Sequence, residues 1–189
     1  MSRARDDDER NTELALAAGK GDRRALEAWV RGTQADVWRF LAHSVNPAAA
    51  DDLTQETYLR AFGSLPRFAG RASSRTWLLS IARRVVVDQI RSASARPKVF
   101  GGVDWQRAME DQATRAGQSA GFEDMVELGL MLRGLDEDRR EAIVLTQVLG
   151  LSYAEVAEIC GCPVGTVRSR VSRGREDLLR AQEENNNAM

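Results

Sequence analysis

The stretch Leu151–Arg175, LSYAEVAEICGCPVGTVRSRVSRGR, leaves the fewest options for how its chain can fold. Ser152 followed by Glu155 forms a capping box, which opens a helix by satisfying two of its orphan N–H donors. Tyr153, Val156, Ala157 and Cys160 then recur at helical spacing, so one face of this helix is buried. Gly161 stands where the helix must stop and the chain turn, because Gly takes φ > 0 without steric cost. Cys162 is expected to cap a second helix, with Pro163 in its first turn, where a missing N–H costs nothing. Val164, Val167, Val171 and Leu178 give that second helix its inner stripe. The spacing predicts a helix-turn-helix.

The outer face of the second helix carries Thr166, Arg168, Ser169, Arg170, Ser172, Arg173 and Arg175. Pro163–Arg175 holds four arginines and no acid. Short hydroxyls and guanidinium forks on a narrow helix suit a DNA major groove, where arginine pairs bidentately with guanine and other groups hold phosphates. A solvated surface helix is the plainer alternative. The coincidence of turn, cap and one-signed face favours the groove reader.

The chain as a whole is not a polycation: 189 residues carry a net charge of −1. Charge is segregated instead. Arg67–Arg96 holds seven arginines against one acid, Asp88, while Asp6, Asp7, Asp8, Glu9 and Glu13 make the N-terminal end acidic. Basic patches in a near-neutral chain point to nucleic-acid contact at defined faces. The two cysteines, Cys160 and Cys162, read as packing residues, since C-x-C with no further cysteine is a poor metal site. No metal or cofactor is expected. His43, the one histidine, has no nucleophile or second base grouped near it, so no catalytic residue is assigned. No apolar run approaches a membrane span and no signal peptide is visible, so the protein is expected to be cytoplasmic, with no membrane insertion.

In chain order, residues 1–11 read as a disordered polar tail. From Thr12 the pattern is helical, with a turn at Gly19–Asp22 and a longer amphipathic helix ending near Asn46–Pro47. The next helix, Ala48 to about Leu65, buries Leu53, Thr57, Tyr58, Ala61, Phe62 and Leu65. Asp52, Gln55, Glu56 and Leu59 form its outward stripe, with Asp51 at the helix start, where the dipole favours an anion. That stripe is either a solvated acidic face or a dock for a basic partner helix. The residues alone leave both open.

Pro66–Ser74 is a basic, turn-rich loop carrying Phe68, and Arg75 to about Ser92 is the helix that follows. Trp77, Leu78, Ile81, Ala82, Val85 and Val86 face its core; Ser80, Arg83, Arg84, Asp88 and Arg91 form its polar strip. Aromatics interleaved with arginines suit single-stranded nucleic acid, whose bases stack while its backbone is held. A buried Trp77 with scattered surface arginines explains the same residues equally well.

Residues 96–121 lose all periodicity and read as a flexible linker, with a short helix near Trp105–Met109. A second domain, 122–182, begins near Phe122; Met125, Leu128, Leu132 and Leu135 mark one helix, and Asp136 caps the next. Residues 183–189 are a polar tail. The expected architecture is all-α: two small helical domains, residues 12–95 and 122–182, each with its own basic surface, on a tether.

Three segments carry a resemblance: DDLTQETYLRAF (Asp51–Phe62), RTWLLSIARRVV (Arg75–Val86) and LSYAEVAEICGCPVGTVRSRVSRGRE (Leu151–Glu176). In this order and spacing the chain resembles, along essentially its whole length, bacterial RNA polymerase sigma factors of the extracytoplasmic-function class, group 4 of the sigma-70 family. The resemblance implies two domains, regions 2 and 4. It implies that Asp51, Asp52, Gln55, Glu56 and Leu59 dock on the clamp helices of the largest subunit of core RNA polymerase, whose flap is a further contact. It implies that Phe68, Ala69, Gly70, Arg71, Ser73, Arg75, Arg83 and Arg84 take the non-template single strand of the minus-10 element and capture a flipped base. Arg168, Ser169, Ser172 and Arg173, with Thr166, Arg170 and Arg175 beside them, would read the minus-35 duplex of promoter DNA. Arg84 stands where some members carry a polar amide, and Gly174 where alanine is usual. An anti-sigma factor is a common partner in the class, although no segment here identifies one. The rival reading is a stand-alone helix-turn-helix regulator, which would bind duplex DNA without polymerase; no catalytic constellation supports an enzyme.

Overall fold

The computed structural model describes residues 2–95, 129 and 131–187. Among them there is no strand. Four helices come first: α1 (Ser2–Gly19), α2 (Arg23–Ser44), α3 (Pro47–Ser64) and α4 (Ser74–Ala95), with a 3-10 turn at Leu65–Arg67. Then, after a helical turn at 131–133, come α5 (Glu137–Ile143), a π-turn (Val144–Val148), α6 (Tyr153–Cys160) and α7 (Val164–Asn187).

The caps are chemical and local. Asp22 accepts from the N–H groups of Arg24 and Ala25 to start α2, and Asn46 accepts from Ala49 to start α3, with Pro47 in the first turn. The first domain closes around α2, whose Trp29, Val37, Phe40 and Leu41 are buried, against Leu78, Leu79, Ala82 and Val85 of α4. Large aromatics bring polar atoms inside, and these are satisfied. The Trp29 indole N–H donates to Ser74 Oγ at 3.2 Å, and Thr33 Oγ1 and the Tyr58 hydroxyl lie 2.7 Å apart. Burial pushes the Tyr58 phenol up to about 12, so it stays a neutral hydrogen-bonding group.

Three expectations are corrected here. The stretch 1–11 is not a tail: α1 begins at Ser2. Its register is held from outside, because Thr12 Oγ1 accepts from the Ser74 N–H at 2.9 Å, Ala15 is buried, and Asp8 reaches Arg75. Phe62 does not face the core but is 40% exposed, and so is Val164. At the end of α1 a Cβ on Gly19 would sit 2.7 Å from the Leu65 carbonyl oxygen, so only glycine lets the two backbones meet.

In the second domain the capping box forms as the sequence requires. Ser152 N–H donates to Glu155 Oε2 at 2.8 Å and Glu155 N–H to Ser152 Oγ at 3.3 Å. Asp136 caps α5, and Gly161 adopts φ 64°. Cys162, however, does not cap α7. Its N–H turns back to the Ala157 carbonyl and closes α6, and the Pro163 carbonyl takes the first bonds of α7, from Thr166 and Val167. Val167 and Val171 are buried, and Gly174 lies so close to α5 that a Cβ would meet Ile143 Cγ1 at 2.9 Å. The expected linker 96–121, with the short helix near Trp105–Met109 and the start at Phe122, lies outside the described residues. The two helical domains each present a basic surface, and they also touch, because α4 packs directly on α6.

Candidate nucleic-acid interfaces

The first basic face is the loop Phe68–Ser73 and the start of α4. Phe68 stacks at a tilt on Trp77, with centroids 4.8 Å apart, and Trp77 in turn meets the buried Trp29 at 6.2 Å. Gly70 turns the loop at φ 66°, directly over Leu16 of α1. Ser73 Oγ accepts from the Thr76 N–H at 3.1 Å and starts α4. The loop is therefore a fixed shape, braced from below by Thr12 and Leu16. Ala69, Arg67, Arg71 and Arg84 are exposed, and none of the three arginines has a carboxylate partner among the described residues.

Arg75 and Arg83 are held differently. Arg75 Nε lies 2.7 Å from Asp36 Oδ2, and its Nη2 donates to the Leu149 carbonyl of the second domain at 2.6 Å. Arg83 Nε lies 2.8 Å from Glu141 Oε1, also in the second domain. Burial works against the Arg83 charge, but Glu141 and then Cys160 more than offset it, so the guanidinium is held more firmly protonated than usual. The Cys160 thiol donates to Glu141 Oε2 at 3.4 Å; burial, then Glu141, push it up to about 12, so it is no thiolate nucleophile. Burial also raises Asp8, against the pull of Arg75, and Glu155 of α6 adds to the rise. Between the loop, α4 and the end of α6 lies an open cleft of about 690 Å³.

The second basic face is the outer side of α7. Arg168, Ser169 and Arg173 are exposed, and neither arginine has a carboxylate partner among the described residues. Thr166 is half-buried beside them. Arg170 instead pairs with Asp138, Arg175 donates to Gln147 Oε1 at 2.8 Å, and Ser172 donates to Glu176 Oε1 at 3.1 Å. Two of the predicted arginines thus brace α7 against α5 and the π-turn, and two, Arg168 and Arg173, stay exposed with no carboxylate partner among the described residues.

The predicted α3 stripe is present as a surface. Asp52 and Gln55 are exposed, Glu56 pairs with Arg60 at 2.7 Å, and Leu59 is 65% exposed. Phe62, three residues on, joins Leu59 in an apolar ridge; the i, i+3 spacing was the available signal for it. Asp51 faces the other way and accepts from the Trp38 indole N–H at 2.9 Å. His43 is buried at the end of α2, where burial and then Arg39 lower it to about 4, so it is neutral and away from both basic faces.

Sequence reasoning missed Thr12, Leu16, Asp36 and Glu141. Each acts across a tertiary contact and carries no local pattern; only the arginine-rich strip of α4 hinted that carboxylates would have to meet it. No helix among the described residues is long and apolar enough to cross a membrane.

The chain matches the family model for sigma-70 region 2 over residues 29–96 and that for sigma-70 region 4 over residues 125–178. It is 52% identical over 179 residues to the ECF RNA polymerase sigma factor SigC of Mycobacterium tuberculosis, covering 95% of both chains. The same figures hold for the probable RNA polymerase sigma-C factor of Mycobacterium bovis. Its fold is similar to that of the sigma factor RpoE of Bartonella quintana, solved with the anti-sigma factor NepR, at a TM-score of 0.65 and 24% identity over 84% of this chain and 96% of that one. With two sigma regions in order and a relative matched nearly end to end, the chain belongs to the extracytoplasmic-function sigma factors, the alternative factors that bind core RNA polymerase and direct promoter-specific initiation.

Proposed function

We propose a division of labour among the three surfaces. The acidic stripe Asp52, Gln55 and Glu56, with the Leu59–Phe62 ridge, docks on the clamp helices of polymerase; Asp51 supports the stripe through Trp38. The loop Phe68–Ser73, with Arg75, Arg83 and Arg84, takes the non-template strand of the minus-10 element. Arg168, Ser169 and Arg173 read the minus-35 duplex, while Arg170 and Arg175 hold their helix in place.

The observation that carries this reading is the pairing of a rigid aromatic shelf, Phe68–Trp77, with three exposed arginines, Arg67, Arg71 and Arg84, that have no carboxylate partner among the described residues. Stacking on such a shelf is worth about 1–3 kcal/mol per base, which offsets the cost of melting. Neither surface need bind promoter tightly alone, because polymerase holds both at a fixed separation and makes the second contact effectively intramolecular. Arg75 and Arg83 are engaged by the second domain, so strand capture requires that domain to swing away. The chemistry is coupled binding, with no covalent step, in the cytoplasm beside polymerase. The complex reported for the Bartonella relative supports adding an anti-sigma protein to the partners of this chain.

Run-off transcription with core polymerase on a promoter library tests the proposal. Initiation that requires the protein and falls with Leu59→Ala or Arg84→Ala supports it. Binding to duplex sites without polymerase, and no transcripts, would favour the stand-alone regulator.

A further inference from the structure

The cleft between the two domains is about 690 Å³ in volume, the size of a small-molecule site. One wall is the Phe68–Trp77 ring pair, both rings partly exposed. Arg67, Arg71 and Arg84 stand around it with no carboxylate partner among the described residues. The opposite wall is the end of α6, where exposed Glu158 lines the cleft. That wall is held in place by the Arg83–Glu141 pair and by the bond from Arg75 to the Leu149 carbonyl.

Each part has a chemical counterpart in one ligand class. Aromatic faces stack nucleobases, and the two-ring purines offer the larger face to stack. Guanidinium forks without a local carboxylate match a phosphate monoester, with charge-assisted and bidentate hydrogen bonds. A carboxylate across the cleft accepts from the N–H groups of a base edge. We propose that the closed arrangement binds a free purine nucleoside 5′-phosphate in this cleft. The inference rests on reading Phe68–Arg84 as a nucleic-acid face and extends it to a monomeric ligand. A promoter strand uses the same shelf with the second domain moved off, whereas the nucleotide uses both walls. The two are mutually exclusive, and the nucleotide favours the closed form by its differential affinity.

Calorimetric titration of the full chain with guanosine 5′-monophosphate tests this, with guanosine and inorganic phosphate as separate probes. Saturable one-to-one binding is expected, about tenfold or more tighter than either fragment, because linked groups bind together. Arg84→Ala and Arg71→Ala should each weaken it about fivefold or more through loss of a charge-assisted contact. Glu141→Gln, which loosens the α6 wall and touches neither ring nor phosphate, should weaken it too, in a chain whose melting temperature shows it folded. No binding at millimolar nucleotide overturns the proposal. So does phosphate binding as tight as the nucleotide, or an affinity that Glu141→Gln leaves unchanged. The titration contains neither polymerase nor DNA, so its failure leaves the run-off result standing. Intact nucleotide binding with no promoter-dependent transcript would instead remove the reading of the face as a strand receptor.

Discussion

On α4, Arg75 and Arg83 lie 2.6 Å from the Leu149 carbonyl and 2.8 Å from Glu141, both across the domain boundary. On α7, Arg168 and Arg173 stand exposed with no carboxylate partner among the described residues. Both helices carry guanidinium groups on an outward strip, and the sequence treats them alike. The difference is what faces these four residues: Arg75 and Arg83 meet another domain, and Arg168 and Arg173 meet solvent. A basic face is thus available or engaged according to its neighbours, not its composition. On the roles proposed above, the duplex reader is ready as it stands, whereas Arg75 and Arg83 must be released before they can hold a strand.

The contrast also extends to how each region is held together, and the largest test acts there. Trp29 is fully buried and joins Ser74, Tyr58 and Trp77, so Trp29→Ala should cost about 3–5 kcal/mol in urea unfolding. A loss below about 1 kcal/mol would show that the shelf under the first face does not depend on this core.

Acid should separate the two domains next. Folded His43 takes its proton only near pH 4, whereas the unfolded residue takes one at 6.5, so stability is complete above 6.5 and lost as pH falls. This one group should remove about 3 kcal/mol by pH 4. The only histidine of the chain lies in the first domain, so His43→Gln should flatten the pH dependence there. An unchanged slope would assign acid sensitivity to the carboxylates instead.

For the open face, Arg173→Ala should weaken minus-35 binding by about 1–3 kcal/mol and random duplex by less, in anisotropy titrations. Equal losses would mean that Arg173 holds phosphate only. For the engaged face, Glu141→Gln should raise affinity for a minus-10 single strand by no more than about fivefold, because the mostly buried Arg83–Glu141 pair has much of its attraction offset by desolvation. No gain would show that closure does not compete with the strand.

The smallest change is Gly174→Ala. Helix propensity favours alanine by about 1 kcal/mol, and the new Cβ presses on Ile143, so the net melting shift should stay near zero. The full gain would show that Ile143 yields freely. Glycine at this helix position is explained by the close approach of α5 to α7, a reason invisible in the helix pattern.

Much of the molecule was legible from local chemistry. Ser152, Glu155 and Gly161 bound the first helix of the helix-turn-helix because capping and a positive φ act within one turn. Asp136 started α5 for the same reason. Cys162 falls one residue short of the cap position: its N–H closes α6, and the carbonyl that takes the first bonds of α7 is that of Pro163. Phe62 and Val164 fit the helical spacing of an inner stripe but sit at its margin and stay 40% exposed, because an apolar residue on the right spacing need not be buried.

The sequence by itself determined the all-α class, the ends of α5 and α6 that are set by Asp136, Ser152 and Gly161, the two regions and the segregation of their charge, because each rests on interactions between near neighbours. Only the tertiary structure decided that the acidic N-terminal stretch is a helix bracing the loop through Thr12 and Leu16. It alone decided that Arg75 and Arg83 are occupied while Arg168 and Arg173 are exposed with no carboxylate partner among the described residues. The physical reason is that a charged side chain has no preference for one distant carboxylate over water until packing removes the water and fixes the partner beside it.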